Sequence, residues 1–182
     1  MAPRLESESR VADLNKAIVY VLRNEDRTMS GKVTTDQGGK TRFGIAQKFH
    51  PELDPSFYTC TALGALGEAQ QIYKTAYCAP LFIAAITFQP IANKILDVGV
   101  NCGIGNAAKM AQMAVTALGM PVTIDEKMGP ESVTAINLVD QNKLMSQLIV
   151  LSQVHYRAVA LAEHVSIDEL ASWLTRAGKP GI

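Results

Sequence analysis

Apolar side chains recur at Val11, Leu14, Ile18, Val21 and Leu22, the three-and-four spacing that gathers them on one face of a helix over about residues 10–24. Ser9 stands where a cap would accept from the first free N–H groups. The pattern breaks at Asn24-Glu25-Asp26, and a polar stretch with Gly31, Gly38, Gly39 and Gly44 follows. That composition predicts a long loop or a short β-ribbon over 27–45, a length of connection that usually carries function in a compact domain.

Helical patterns dominate from there on. A short helix is expected over 44–48, stopped at His50-Pro51 because the residue before proline is pushed out of the helical region. Further helices are expected over 66–77, 80–86 and 90–96, the last two opened by Pro80 and Pro90. The run 107–118 ends before Gly119, a suitable left-handed stop. A turn over 125–129 leads into a helix opened by Pro130 and Glu131. Leu144, Leu148, Leu151, His155 and Ala158 mark a long helix over about 140–163. Ser166 and Glu169 stand in capping-box register for a last helix to Arg176, and the tail GKPGI is expected to fray. The sum is a mainly α, single-domain protein with any β structure confined to 27–45.

The chain's 182 residues, 48% hydrophobic and 19% charged, suffice for one well-formed core. Lys plus Arg and Asp plus Glu are equal at 17 each, so the balance of charge points to neither nucleic acid nor an anionic membrane. Glu6, Glu8, Asp13 and Lys16 interrupt any apolar run near the N-terminus, and no stretch reaches the length of a spanning helix. The expectation is therefore no signal peptide, no membrane insertion, and a protein held in the cytoplasm until the cell is opened. Cys60, Cys78 and Cys102 are widely spaced and never in CxxC, so neither a zinc site nor a disulfide is expected, only small buried or half-buried thiols.

Glu25 follows a helix with a strong apolar face and precedes a polar loop, so its carboxyl can lie at a cleft wall. A carboxyl shielded by such a wall keeps its proton long enough to donate it, which is what a general acid needs. The plainer alternative is a solvated glutamate at a helix end. In TTDQGGKTRFGI, Asp36 before Gly38-Gly39 suggests a tight turn that a ligand can approach, with the Thr41 hydroxyl and the Phe43 ring offering the polar and flat surfaces that sugars take; an ordinary hairpin turn is the other reading. Asp97 and Asn101 fall one helical turn apart and either both face a cleft, or Asp97 serves neighbouring backbone. The glycines at 99, 103 and 105 lack the preceding strand of a nucleotide site. His50, His155 and His164 have no nucleophile partner and read as structural, and Met110, Met113 and Met120 as core. No metal or cofactor is called for.

Taken in order, NED at 24–26, DQGGKTRFGIAQ at 36–47, IYKTAYCAPL at 72–81, LDVGVNCGIGNAAKMAQ at 96–112, IDEKMGPESVTAI at 124–136 and WLTRA at 173–177 resemble glycoside hydrolase family 108 from about residue 12 to 178. The resemblance implies a lysozyme-like N-acetylmuramidase of the phage or prophage endolysin type, monomeric and cofactor-free, that acts on peptidoglycan. It implies Glu25 as the catalytic glutamate, Asp36 as the first candidate for a second carboxylate, and Thr41, Asp97 and Asn101 as retained site positions beside Phe43. It further divides the single domain into a catalytic part, 10–118, and a helical part, 119–178, similar to a peptidoglycan-binding region. Two departures stand out. Asp26, Arg27 and Thr28 replace the usual two glycines and aromatic, and Tyr77-Cys78 replaces a Tyr-Trp pair. The implied reaction is cleavage of the β-1,4 bond between N-acetylmuramic acid and N-acetylglucosamine, with lytic transglycosylation as a variant chemistry. A non-catalytic wall-binding or secretion-assisting module is the rival class.

Overall fold

The structure, a computed structural model, describes residues 11–36 and 39–182, with Asp36 through its backbone alone. The first helix, α1, runs Leu14–Glu25. Its cap is Asp13, whose Oδ1 accepts from the N–H groups of Asn15 at 2.9 Å and Lys16 at 3.2 Å. The helix thus begins several residues later than expected, because an aspartate at this position satisfies the first-turn donors itself; Ser9 lies outside the described residues. Ala17, Ile18, Val21 and Leu22 are buried as the spacing predicts, while Val11, ahead of the cap, is 54% exposed.

The glycine-rich stretch forms an antiparallel ribbon of β1 (Thr34–Asp36), β2 (Gly39–Arg42) and β3 (Ile45–Ala46), with Thr35 opposite Lys40 and Arg42 opposite Ile45. Residues 44–48 therefore do not form the expected helix. Phe43 and Gly44 both take positive φ, 49° and 76°, making the two-residue turn whose twist suits a hairpin, and Ile45 then pairs back on β2.

Helix α2 (Ala62–Ile72), capped by Thr61, widens into a π turn over Tyr73–Cys78, where the sequence pattern predicts continuous α-helix to residue 77. The 80–86 segment keeps only a 3-10 turn, Ile83–Ala85, entered through left-handed Phe82. Helix α3 (Gln89–Cys102) is longer at both ends than its proline-led pattern indicated and meets α4 (Ile104–Ala117) at Gly103. Then follow α5 (Pro130–Leu138), α6 (Gln141–Glu163) and α7 (Ile167–Ala177). Asp140 and Ser166 cap the last two, accepting from Lys143 N at 2.9 Å and Glu169 N at 3.2 Å.

α3 is the central element. Its Ile91, Ala92, Ile95 and Leu96 are fully buried among α1, α4 and α6, and α7 lies on α6. The expected 125–129 turn is held to α4 by buried Gln112, which accepts from Asp125 N and Glu126 N and donates to Lys127 O. On α6, Leu144 and Leu148 are buried and Leu151 half-buried, whereas Ala158 is exposed.

The tail does not fray. Lys94, fully buried on α3, donates from Nζ to the Ala177 carbonyl at 2.5 Å, and Asn93 donates to Gly181 O at 2.7 Å. Gly181 has φ 74°, and a Cβ there would collide with the Pro90 carbonyl, so only glycine lets the chain pass this close to α3. The composition of GKPGI favours fraying, but two polar side chains of α3, far away in the chain, dock it. Among the described residues no helix is long and apolar enough to cross a membrane. The architecture is that of a lysozyme-like fold, mainly helical with a small antiparallel sheet.

Candidate active site

Glu25 is the last residue of α1, and the chain leaves it through a tightly bonded loop. Asp26 Oδ1 accepts from the Thr28 N–H at 3.2 Å and hydroxyl at 3.0 Å, and Oδ2 accepts from the Ser30 hydroxyl at 3.1 Å and Gly31 N–H at 2.7 Å. Partial burial pushes the Asp26 carboxyl up, but these donors outweigh it and hold the group below its ordinary value. Arg42, 5% exposed, pins the far end by donating from Nε to Gly31 O at 2.8 Å and from Nη1 to Phe57 O at 2.8 Å. A charged residue following the acid thus organises the loop internally.

The hairpin turn backs the acid. A Cβ at Gly44 would lie 2.5 Å from Glu25 Cγ and 2.7 Å from the Tyr73 hydroxyl, so the turn needs glycine for space as well as for φ. Tyr73 donates to Phe43 O at 2.9 Å, which ties the π turn to the hairpin. Burial, then the charge of Glu25, pushes the Tyr73 phenol well above its ordinary value, and the same causes in the same order raise Tyr77.

An apolar wall is not what the Glu25 carboxyl meets. Arg176 on α7 donates from Nη2 to Glu25 Oε1 at 2.5 Å and to Asp97 Oδ1 at 2.8 Å, and its Nε reaches the same Asp97 oxygen at 3.2 Å. Asn24 Nδ2 adds a further donor to that oxygen at 3.1 Å. The side chains of Glu25, Arg176 and Asp97 are 18%, 19% and 4% exposed. Burial works against the Arg176 charge, but Asp97 and Glu25 outweigh it and raise the guanidinium above its ordinary value. Lys179 closes this side by donating to Asn24 Oδ1 at 2.8 Å.

Beside this cluster opens a cleft of about 850 Å³ whose lining includes Asn24, Asn101, Tyr156, Trp173, Arg176 and Lys179. Tyr156 and Trp173 lie with ring centroids 5.5 Å apart and planes tilted by 43°. Flat aromatic surface beside amide and cationic donors suits a polyhydroxylated ligand better than a purely apolar one.

The sequence candidates distribute unevenly over this geometry. Glu25 is not itself part of the cleft lining but is bonded to Arg176, which is, and Asn101 lines the cleft while donating to Asp97 O at 2.7 Å. Asp97 is brought to Glu25, but its carboxylate is engaged by Arg176 and Asn24 and faces them rather than a ligand. Phe43 is a correction: its ring is 2% exposed, part of the core, because the left-handed turn rotates it inward. Thr41 is half-buried in β2, opposite Thr34 and Ala46, and is not part of the cleft lining. Asp36 pairs with Gly39 through its backbone, and its side chain lies outside the described residues. His50 is satisfied by Glu52 and the Tyr77 hydroxyl, at 3.1 and 3.2 Å, and His164 forms the left-handed end of α6. His155, read as structural, instead lines the cleft, with burial drawing its imidazole below the ordinary value. Cys60 is exposed rather than half-buried, while Cys78 is buried and its thiol pushed up to about 12 by that burial. Sequence reasoning missed Asn24, Tyr156, Trp173 and Arg176. The available signal was the i, i+3 spacing of Trp173 and Arg176, which puts both on one face of α7.

Fold and site together define a lysozyme-like helical protein with a shielded carboxyl bonded to an arginine that lines an aromatic-bearing cleft. Residues 19–103, a little under half of the chain, match the family model described as Glycosyl hydrolase 108, and that span includes Glu25, Asp97 and Asn101. No curated protein matches the chain. Among solved structures, Brucella abortus SagA is similar with a TM-score of 0.63 at 17% identity, over 90% of this chain and 92% of that chain, a likeness of fold.

Proposed function

We propose that the protein is a glycoside hydrolase of bacterial peptidoglycan in which Glu25 is the acid catalyst. The observation that carries the reading is the Glu25 carboxyl, inside the segment that matches a glycosyl hydrolase family, mostly shielded and held by Arg176, a donor that itself lines a sugar-sized cleft. In the reaction, Glu25 gives its proton to the leaving glycosidic oxygen as the C1–O bond breaks and positive charge develops at C1. Water then adds to C1, and a carboxylate takes the proton that water releases. Asp36 is our candidate for stabilising the charge or positioning that water.

The finer reading is a muramidase that cuts the β-1,4 bond between N-acetylmuramic acid and N-acetylglucosamine and reaches the wall during phage or prophage lysis. The helical part 119–178 would supply wall-binding surface, with Tyr156 and Trp173 as sugar platforms. Glu25→Gln keeps shape and removes the transferable proton, so it should abolish release of reducing ends from purified peptidoglycan while the melting temperature stays near that of the parent. Undiminished release would refute the assignment. Mass spectrometry of the products separates hydrolysis from transglycosylation by 1,6-anhydromuramic ends. A non-catalytic wall-binding module is the second reading, favoured by the ion pair that occupies Glu25. It requires the parent protein to sediment with walls yet release nothing.

A further inference from the structure

Two carboxylates, Glu25 and Asp97, accept from the same nitrogen of one guanidinium. The three side chains carry one positive and two negative charges when fully ionised, so the cluster as a whole is neutral only with one added proton. We propose that Asp97 and Arg176 are positioning residues that share out this charge, so that Glu25 is the member of the cluster that takes up and gives out the proton. The proposal rests on the reading of Glu25 as the acid.

The hydrogen bonds treat the two carboxylates unequally. Asp97 Oδ1 receives three donors, Arg176 Nε, Arg176 Nη2 and Asn24 Nδ2, in a side chain only 4% exposed. Donors aimed at a carboxylate stabilise its charged form, and charged donors do so most strongly. Glu25 receives a single donor and is the more exposed of the two, at 18%. Asp97 therefore neutralises most of the arginine's charge, and without it Glu25 would face that charge alone. Arg176 is itself immobilised, because the next residue's carbonyl is held by Lys94 and Lys179 is tied to Asn24.

Other groups near the pair do not disturb this division. Tyr73 and Tyr77 face Glu25 from the π turn, and both phenols are raised, so they stay neutral around neutral pH. Asp26, next along the chain, has its charge absorbed by its own loop. Lys94 on α3 bonds the Ala177 carbonyl and lies within reach of the Asp97 charge, which adds to the support of that anion, Lys179 after α7 bonds Asn24, and among the described residues Arg176 is the cation in contact with Glu25.

A general acid works only when protonated, so kcat/KM falls as pH rises through its titration. The two positioning residues should move that alkaline limb in opposite directions. Asp97→Asn leaves the arginine charge uncompensated beside Glu25, which gives up its proton sooner, and the limb should shift down by about one pH unit. Arg176→Gln leaves two carboxylates without their cation, Glu25 keeps its proton longer, and the limb should shift up by about one pH unit. The double variant removes both charges and should return the limb close to the parent's position, which keeps the test available if Arg176→Gln alone fails to fold. A merely structural role would lower activity in all three without moving the profile.

The second readout is the carbon-13 carboxyl resonance of Glu25 titrated in the intact protein, assigned by its loss in Glu25→Gln. Its midpoint should move in the same directions as the activity limb. An unmoved resonance in Asp97→Asn and in the double variant relative to the parent and to each other, or movement of both single variants in one direction, overturns the proposal. Retention of full activity by Glu25→Gln would instead overturn the catalytic reading, with the resonance still reporting on the charge division.

Discussion

Replacing Gly44 by alanine adds one methyl group at the point where hairpin, π turn and acid converge. Two penalties add. A non-glycine residue in the left-handed region, at φ 76°, costs about 1–2 kcal/mol. The new Cβ would lie 2.5 Å from Glu25 Cγ and 2.7 Å from the Tyr73 hydroxyl, and forcing atoms into such a packed position typically costs about 1–3 kcal/mol. A total of about 2–5 kcal/mol corresponds to a melting temperature lowered by roughly 5–15 °C for a chain of this size. The function should suffer more. Restoring ordinary contact requires the Glu25 side chain to withdraw by about 1 Å, and displacement of that order at a catalytic group costs about a hundredfold. Calorimetry and reducing-end release from purified walls measure both effects. Gly67→Ala is the control, since a Cβ there meets nothing within 4 Å and the site is helical, so it should match or slightly exceed the parent in stability. Gly44→Ala melting within 2 °C of the parent with kcat/KM within twofold would refute the packing argument.

The protein has one tryptophan, Trp173, so its fluorescence reports directly on the cleft, and soluble peptidoglycan fragments should change the emission. Trp173→Ala should raise KM about tenfold with kcat altered less than twofold, roughly the 1.4 kcal/mol of one lost platform; a change in kcat alone would contradict that role. Burial lowers Lys94 from its ordinary 10.5 to about 8, so between those values the unfolded chain binds more protons than the folded one, and this residue's contribution to stability rises with pH across that window. Urea titrations of the parent and Lys94→Met should show their stability difference changing in the parent's favour by about 3 kcal/mol from pH 7.5 to pH 10.5; a pH-independent difference would refute it.

What could be read from the sequence depended on how far each signal reaches along the chain. Asp140, Ser166, Gly119 and Pro130 act within one turn of themselves, and the helix ends they mark are where they were expected. The 44–48 segment failed because its pairing partner on β2, not its own composition, decides its conformation. Phe43 looked like an exposed ring, and only the backbone handedness of its turn shows that it points inward. Glu25 and Asn101 could be nominated from local context. The spacing of Arg176 gives only the face of α7 that it shares with Trp173, since the bond that makes it part of the site joins residues 151 positions apart. The docked tail was hidden for the same reason, its anchors being Asn93 and Lys94.

The arginine between the two carboxylates lies outside residues 19–103, the span that carries the family signature. A minimal version pruned to that span would keep both anions, lose the cation that reconciles them, and lose the tryptophan as well. Shuffling the signature segment onto a different C-terminal partner would therefore transplant an acid without its counterweight, and any working chimera would have to bring α7 along as cargo.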